Sequence, residues 1–379
     1  MGDNSRVDTE PAILSSPPDR LQALLQAALA RAGGWLPFDR FMALALYAPG
    51  LGYYSRDSVK FGALPAGGSD FVTAPELSPW FGRALGRQVA EALRASGTDT
   101  VWEFGAGSGA LAEQVLTQLA AEGLRPHYRI IDLSGSLRAR QQARLQPFAA
   151  QVAWADALPE TLAGVLLGNE VLDAMPVQLL LRRGGVWHER GVALGPDGAL
   201  AWADRPTDLR PPLAVPGEHD YLTEIHPQAE AFVRTLAERW TAGVAFFIDY
   251  GFPEAEYYHP QRHMGTLTGH RAHQRDDAVL QHVGQMDITA HVNFTGAALA
   301  AQDAGLQVLG YTSQGRFLLN AGLLDLAAQA PLTERTALTR LVHEHEMGEL
   351  FKVLVLAPPT LAPGWLPSGL AHGDRSHTL

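Results

Sequence analysis

The chain has 379 residues, 46% hydrophobic and 18% charged, which excludes wholesale disorder and allows one large domain with an insertion, or two domains. Its 29 basic and 40 acidic residues give a net charge of −11, an argument against binding nucleic acid by bulk electrostatics. With no cysteine, the chain has no disulfide, thiolate metal site or cysteine nucleophile.

Residues 1–18 are polar, end in Pro17-Pro18 and read as a tail without the apolar run of a signal peptide. No later stretch approaches the ~18 apolar residues of a membrane span, so a soluble, cytoplasmic protein is expected. Asp19 is expected to cap the helical run LQALLQAALARAG, and a second helix is predicted over Phe38 to Leu46. Residues 47–82 then form a long stretch rich in Gly, Pro and aromatics, among them Tyr47, Tyr53, Tyr54, Phe61, Phe71, Trp80 and Phe81. A loop of that length within a compact domain is usually functional or disordered, and its aromatics argue against disorder.

From Pro79 a helix runs to about Ala95. The units TVWEFGAGSG, ALAEQVLTQLAAEG, HYRIIDLS, SLRARQQARLQPF, QVAWAD and GVLLGNEVLDAMP follow as alternating strands and helices. That alternation predicts an α/β fold with a parallel sheet and right-handed crossovers. After Pro176 the pattern changes to short strands joined by Gly185 and by Pro196-Asp197-Gly198, an expected β-hairpin insertion at about 177–225. HPQAEAFVRTLAERW reads as a helix and GVAFFIDYG as a buried strand, while 252–293 is loop-like and His-rich. FTGAALAAQDAG is a helix with a Gly cap, and LQVLGYT and FKVLVLA are strands. The expected units are thus a helical and lid segment at 19–95, a core at 96–358 and a Pro/Gly/His-rich tail at 359–379.

The most informative segment is Glu103-Phe104-Gly105-Ala106-Gly107-Ser108-Gly109, between a strand and a helix. Glycines let the backbone turn tightly and bring amides against a ligand. Dinucleotide enzymes read GxGxxG or GxGxxA here, which Gly105, Gly107 and Ala110 fit. Three features favour S-adenosylmethionine instead. Glu103 stands two before the first glycine, where a carboxylate suits a cationic amino-acid end and repels a pyrophosphate. Asp132 ends the next strand, placed for ribose hydroxyls. Asp156 follows QVAWAD, placed for adenine. Only the ribose carboxylate is shared with the dinucleotide reading.

GNEVLDAMPV, residues 168–177, resembles the NE-x-x-DA-x-P signature of the MidA family of S-adenosylmethionine-dependent methyltransferases. LYAPGLGYY (46–54), FVTAPELSPWFG (71–82), SLRARQ (136–141), IDYG (248–251), DITAHVNF (287–294) and QGRFLLNAG (314–322) match the same family in collinear order, over roughly residues 36–356. GSL at 135–137 lacks the family's usual proline after the serine, and Asp132 replaces the more usual glutamate. The resemblance implies a class I, Rossmann-like methyltransferase sheet and a lid folded over the cofactor. It also implies an arginine side chain of a protein as acceptor, with a respiratory complex I core subunit as partner. Cofactor contacts are expected from Thr73, Pro75 and Glu76 of the lid, from Glu103, Gly105, Ala106, Gly107 and Gly109, from Asp132 and Leu133, from Asp156 and Ala157, and from Asn169.

A guanidinium acceptor stays protonated, so carboxylates must orient it. Asn169, Glu170 and Asp173 follow the strand GVLLG at the carboxyl edge where ligands of α/β sheets sit, and are the expected catalytic residues together with Asp249. Asn169 and Asp173 read equally as turn or helix caps, and Asp249 as a structural strand-end residue. Six histidines lie at 259, 263, 270, 273, 282 and 291, but without HxxxH on a clear helix, and HEHEM at 343–347 fails HExxH. No metal is expected; hydrogen-bonding or substrate contacts suit these histidines better. Two other functions remain open in the sequence, a non-catalytic assembly chaperone that keeps the cofactor as a structural ligand and a dinucleotide oxidoreductase.

Overall fold

The computed structural model describes residues 16–55, 73–132, 135–271, 274–328 and 330–379. Leu133, Phe61, Phe71 and His273 of the expectations above lie outside the described residues. Seven strands form the main path of the central sheet: β1 (Thr100–Phe104), β2 (His127–Ile131), β3 (Val152–Ala155), β4 (Val165–Asn169), β5 (Ala245–Phe252), β6 (Gln307–Ser313) and β7 (Phe351–Ala357), with the two-residue strand Val292–Asn293 as an eighth, paired to the end of β5. Their order is β3-β2-β1-β4-β5-β7-β6. β3, β2, β1, β4 and β5 pair in parallel, whereas β7 runs antiparallel to both β5 and β6. Strands covered on both faces read as continuous apolar runs, and VLLG of β4 and AFFI of β5 are buried throughout for that reason.

The helices flanking the site are α1 (Pro17–Arg31), α2 (Phe38–Tyr47), α3 (Ala74–Leu77), α4 (Pro79–Ser96), α5 (Ala110–Ala121), α6 (Gly135–Arg144) and α7 (Pro227–Arg239). One face of the sheet packs on α4 and α5 through Phe81, Leu85, Val115 and Leu116; the other packs on α7 and the helix Phe294–Asp303. Among the described residues no helix is long and apolar enough to cross a membrane.

Four local outcomes differ from expectation. The N-cap of α1 is Ser16, not Asp19. Asp19 sits in the first turn and takes the Ser16 hydroxyl at 2.6 Å while its own amide points back to Ser16 Oγ, a reciprocal cap three residues apart. The insertion is not a free-standing hairpin. Gln178–Arg183, Val186–Leu194, Leu200–Pro206 and Tyr221–Ile225 form an antiparallel sheet that recruits Trp35–Pro37 from the N-terminal segment. The 252–293 stretch is not all loop: Thr268–Arg271, Gln274–Asp276 and Asp287–Thr289 make a three-stranded antiparallel sheet.

The fourth difference is the C-terminus. Residues 359–379 are a packed segment, not a tail. Leu361 and Leu370 are buried, Gly369 N donates to the fully buried Gln88, and Asp374 accepts the amide of Tyr311 on β6. Arg375 pairs with Glu349 through both guanidinium nitrogens. A Pro/Gly-rich composition removes helix and strand signals, but it leaves leucines that can fill surface grooves.

Candidate active site

At the carboxyl ends of β1, β2, β4 and β5 lies a cavity of about 630 Å³. Glu103 closes its floor. The carboxyl is buried and accepts the Tyr128 hydroxyl at 2.7 Å. Burial, reinforced by the charge of Asp132, pushes its pKa up to about 8 against the opposing pull of the Tyr128 bond. Gly105, Gly107 and Gly109 follow with φ of 63°, 54° and 84°, a left-handed run in which side chains would be strained. Gly105, Ala106 and Gly107 line the cavity, while Gly109 sits just behind as the N-cap of α5.

Asp132 leaves β2 beside this turn and is gripped by Gln141 of α6. Gln141 Nε2 donates to Asp132 Oδ2 at 2.7 Å and to Gly107 O at 2.9 Å, and its Oε1 accepts Trp154 Nε1 at 2.8 Å. One buried amide therefore ties the ribose-side carboxylate to the glycine turn. Asp156 departs from expectation. Its side chain is 86% exposed, pairs with Arg138, and lies with Ala157 outside the cavity lining. β3 ends at Ala155, so the following carboxylate clears the sheet edge and enters solvent.

The lid segment comes over the other side. Thr73, Pro75 and Glu76 line the cavity. Glu76 is, however, already engaged by protein: it accepts from Ser108 of the glycine turn and from Arg144 at 3.3 Å, and Arg144 also donates to Ser108 Oγ at 2.6 Å. Glu76 is thus a latch between the lid and the turn. Ser108, Gln141 and Arg144 carry these contacts and were not singled out from sequence. The polar face of the RARQQAR helix is the signal for Gln141 and Arg144, and the one hydroxyl in the glycine turn is the signal for Ser108.

The turn after β4 bears the expected catalytic residues. Glu170 has φ 54°, the one positive value outside glycine among the described residues. Such a conformation costs roughly 1–3 kcal/mol and needs fixing by its surroundings. Asp249 supplies the fixing. Its Oδ2 accepts the amides of Val171, Leu172 and Asp173 at 2.9–3.2 Å, and its Oδ1 accepts that of Tyr250. Asp249 is absent from the cavity lining and does not face an acceptor. The sequence could not show that its lone pairs are used by three neighbouring amides.

Asn169, Glu170 and Asp173 all face the cavity. Asn169 Nδ2 donates to Glu170 Oε1 at 3.1 Å. Burial first, then the charges of Asp173 and Asp287, push the Glu170 pKa up to about 8; hydrogen bonds from Asn169 and the Ala74 amide work against the rise. The far wall holds Tyr47, Tyr54, Tyr250, Asp287, Thr289, His270 and His291. Burial holds the pKa of both imidazoles below the ordinary range, His291 down to about 4. Among the described residues no group of three or more His, Asp or Glu converges as metal ligands.

This site fits S-adenosylmethionine on the residues present. A buried carboxyl with a raised pKa lacks the cation that would stabilise its charged form, and an ammonium placed at Glu103 provides one. Asn169 Oδ1 is buried without a hydrogen-bond partner among the described residues, and Asp132 is positioned for hydroxyl donors. When bound, the cofactor supplies an electrophilic methyl on a sulfonium and leaves as a neutral thioether.

Fold and site define a class I S-adenosylmethionine-dependent methyltransferase. The chain belongs to the family described as S-adenosyl-L-methionine-dependent methyltransferases, whose family model matches residues 84–312. It is 48% identical to a superfamily member from Burkholderia thailandensis whose crystal structure holds S-adenosylhomocysteine; the match covers 98% of this chain and 99% of that one, with a TM-score of 0.92. Among curated relatives, it is 29% identical to the mitochondrial protein arginine methyltransferase NDUFAF7 of Danio rerio, over 83% of this chain and 80% of the relative. To the human protein of the same name it is 26% identical, over 86% and 80%. S-adenosylmethionine is the cofactor, and the dinucleotide reading is set aside.

Proposed function

We propose that this methyltransferase modifies arginine side chains of a protein. The observation that carries the reading is the charge of the cavity. Its described lining includes Glu76, Glu103, Asp132, Glu170, Asp173 and Asp287, but no lysine or arginine. One cationic end of the cofactor accounts for the Glu103 side. The Glu170 side calls for a second cation, and a guanidinium is a cation that also carries a methyl-accepting nitrogen. The names of the curated relatives support the same acceptor, and the family resemblance points to a complex I core subunit as the protein that bears it.

On this reading Glu170 is the catalytic residue. The nitrogen that gains the methyl carbon gives up one proton; the guanidinium beside Glu170 favours its ionised form, and that carboxylate, its pKa pushed up to about 8 in the empty site, is a stronger base than an ordinary glutamate and is suited to take the proton. Asn169 and the strained turn fix its direction, and Asp249 holds the turn.

The test is incubation of the purified protein with methyl-labelled cofactor and a lysate of source cells, then acid hydrolysis of any labelled band. Methylarginine is the expected product. Label in RNA, in a small molecule or in another amino acid overturns the acceptor and leaves the methyltransferase assignment.

A further inference from the structure

Beyond Glu170, the cavity has a second polar wall, built where two segments outside the central sheet meet the turn after β4. Asp287, on the strand Asp287–Thr289, is 3% exposed and accepts the Tyr54 hydroxyl at 2.7 Å. Tyr54 lies in the segment after α2, and its ring stacks on that of Tyr47 with centroids 5.6 Å apart and planes 21° from parallel. Two bonds draw these elements onto the turn after β4: Tyr47 Oη donates to Ala174 O at 2.8 Å, and Ala290 N donates to Asp173 O at 3.0 Å.

The polar atoms on this wall are underused. Thr289 is 2% exposed and lines the cavity, where the Tyr250 hydroxyl is its one polar neighbour among the described residues and leaves it without a well-formed hydrogen bond. Asp173 is 5% exposed, and its Oδ1 likewise lacks one. A buried hydroxyl and a buried carboxylate oxygen left without well-formed hydrogen bonds inside a cavity are the signature of a missing polar ligand.

We propose that Asp287 and Asp173, flanked by Tyr47, Tyr54 and Thr289, form the acceptor subsite and take a planar cation, a guanidinium. The inference rests on the protein-arginine reading above and adds the residues that orient the acceptor. Two carboxylates on different elements can accept from separate edges of a guanidinium fork. The tyrosine pair offers aromatic surface beside them, a good neighbour for a delocalised cation. Asp287 is a positioning and specificity residue here; Glu170 keeps the proton.

The probe is ethylguanidine, titrated by calorimetry into the full-length protein saturated with S-adenosylhomocysteine. Binding to wild type is expected, with Asp287→Asn weakening it by about tenfold or more, since a charge-assisted pair is lost. S-adenosylhomocysteine affinity, measured separately, should stay within about twofold, because Asp287 is not among the groups assigned to the cofactor. If Asp287→Asn does not fold, Tyr54→Phe carries the test; it removes the hydroxyl that aims Asp287 and should cost about threefold. Absence of ethylguanidine binding to wild type, unchanged binding in the variants, or equal loss of both ligands overturns the subsite. The acceptor reading fails separately. If Asp287→Asn loses ethylguanidine but no methylarginine forms with the wild-type enzyme, the cation subsite stands and arginine methylation falls. If Asp287→Asn forms methylarginine at the wild-type rate, the subsite falls and arginine methylation stands.

Discussion

Glu103 and Glu170 are carboxyls that the fold keeps protonated to an unusually high pH, and both pay for it in stability. The folded chain holds each proton up to about pH 8, whereas an ordinary glutamate releases it near 4.5. Native stability attributable to these groups is therefore complete below pH 4.5 and declines as pH rises across that window. Glu170→Gln should raise the melting temperature of the cofactor-free protein at pH 8 by at least ~2 °C, read by calorimetry. It should also keep S-adenosylhomocysteine affinity within about threefold while abolishing most turnover. For Glu103 the opposite sign appears in binding. An ammonium partner favours the charged form, so binding at pH 7 should release protons and affinity should rise towards pH 8. Calorimetry in buffers of different ionisation enthalpy measures that release, and Glu103→Gln should remove it. Asp249→Ala, by contrast, removes the acceptor of four amides, those of Val171, Leu172, Asp173 and Tyr250. It should destabilise the protein by roughly 1–3 kcal/mol and misplace Glu170, lowering kcat without a comparable loss of cofactor affinity.

Between elements, the latch of the lid is the most exposed to test. α4 and α5 meet through Gly82, whose added Cβ would lie 2.5 Å from Gln114 of α5. Gln114 accepts the Gly82 amide at 3.0 Å and donates to Pro75 O of the lid at 2.7 Å. Gly82→Ala should therefore cost about 1–3 kcal/mol by overpacking and, by shifting Gln114, weaken cofactor binding from a distance. A denaturant melt and a cofactor titration on the same variant check both halves. This scale also shows what sequence could reveal. The alternating core was legible because each βα unit is local and its strands are doubly buried. The glycine turn was legible because φ above zero demands glycine. The Trp35–Pro37 strand was not: three residues have no periodicity, and their partner strand begins about 150 positions later. The Asp287 wall was hidden for the same reason, since its relation to Tyr54 and Asp173 exists only after three distant segments meet. Asp156 and Asp249 show the converse error, in which a carboxylate at the right sheet edge points outward or inward according to neighbours that spacing does not encode.

Over the whole molecule, the net charge of −11 and the acidic cavity have the same sign and would together attract a cationic substrate. If the acceptor is an arginine-bearing protein, kcat/KM should fall as salt rises from 50 to 500 mM while S-adenosylhomocysteine affinity, set by buried contacts, changes much less. Steady-state kinetics against ionic strength will show whether the two separate. The order of the sheet has another consequence, for synthesis. β7 follows the other six strands in the chain, yet it lies between β5 and β6 and all of its residues are buried. Until Phe351–Ala357 has emerged, β5 presents an open apolar edge and β6 has no sheet to join. The nascent chain must hold the six earlier strands in an unclosed state, and the 359–379 segment, which ties onto β6 and Gln88, follows β7 in adding to the closure. A chain terminated after Leu350 should accumulate as aggregate when translated without chaperones, where the chain that runs on through β7 to Leu379 stays soluble, and sedimentation of the two translation products decides it.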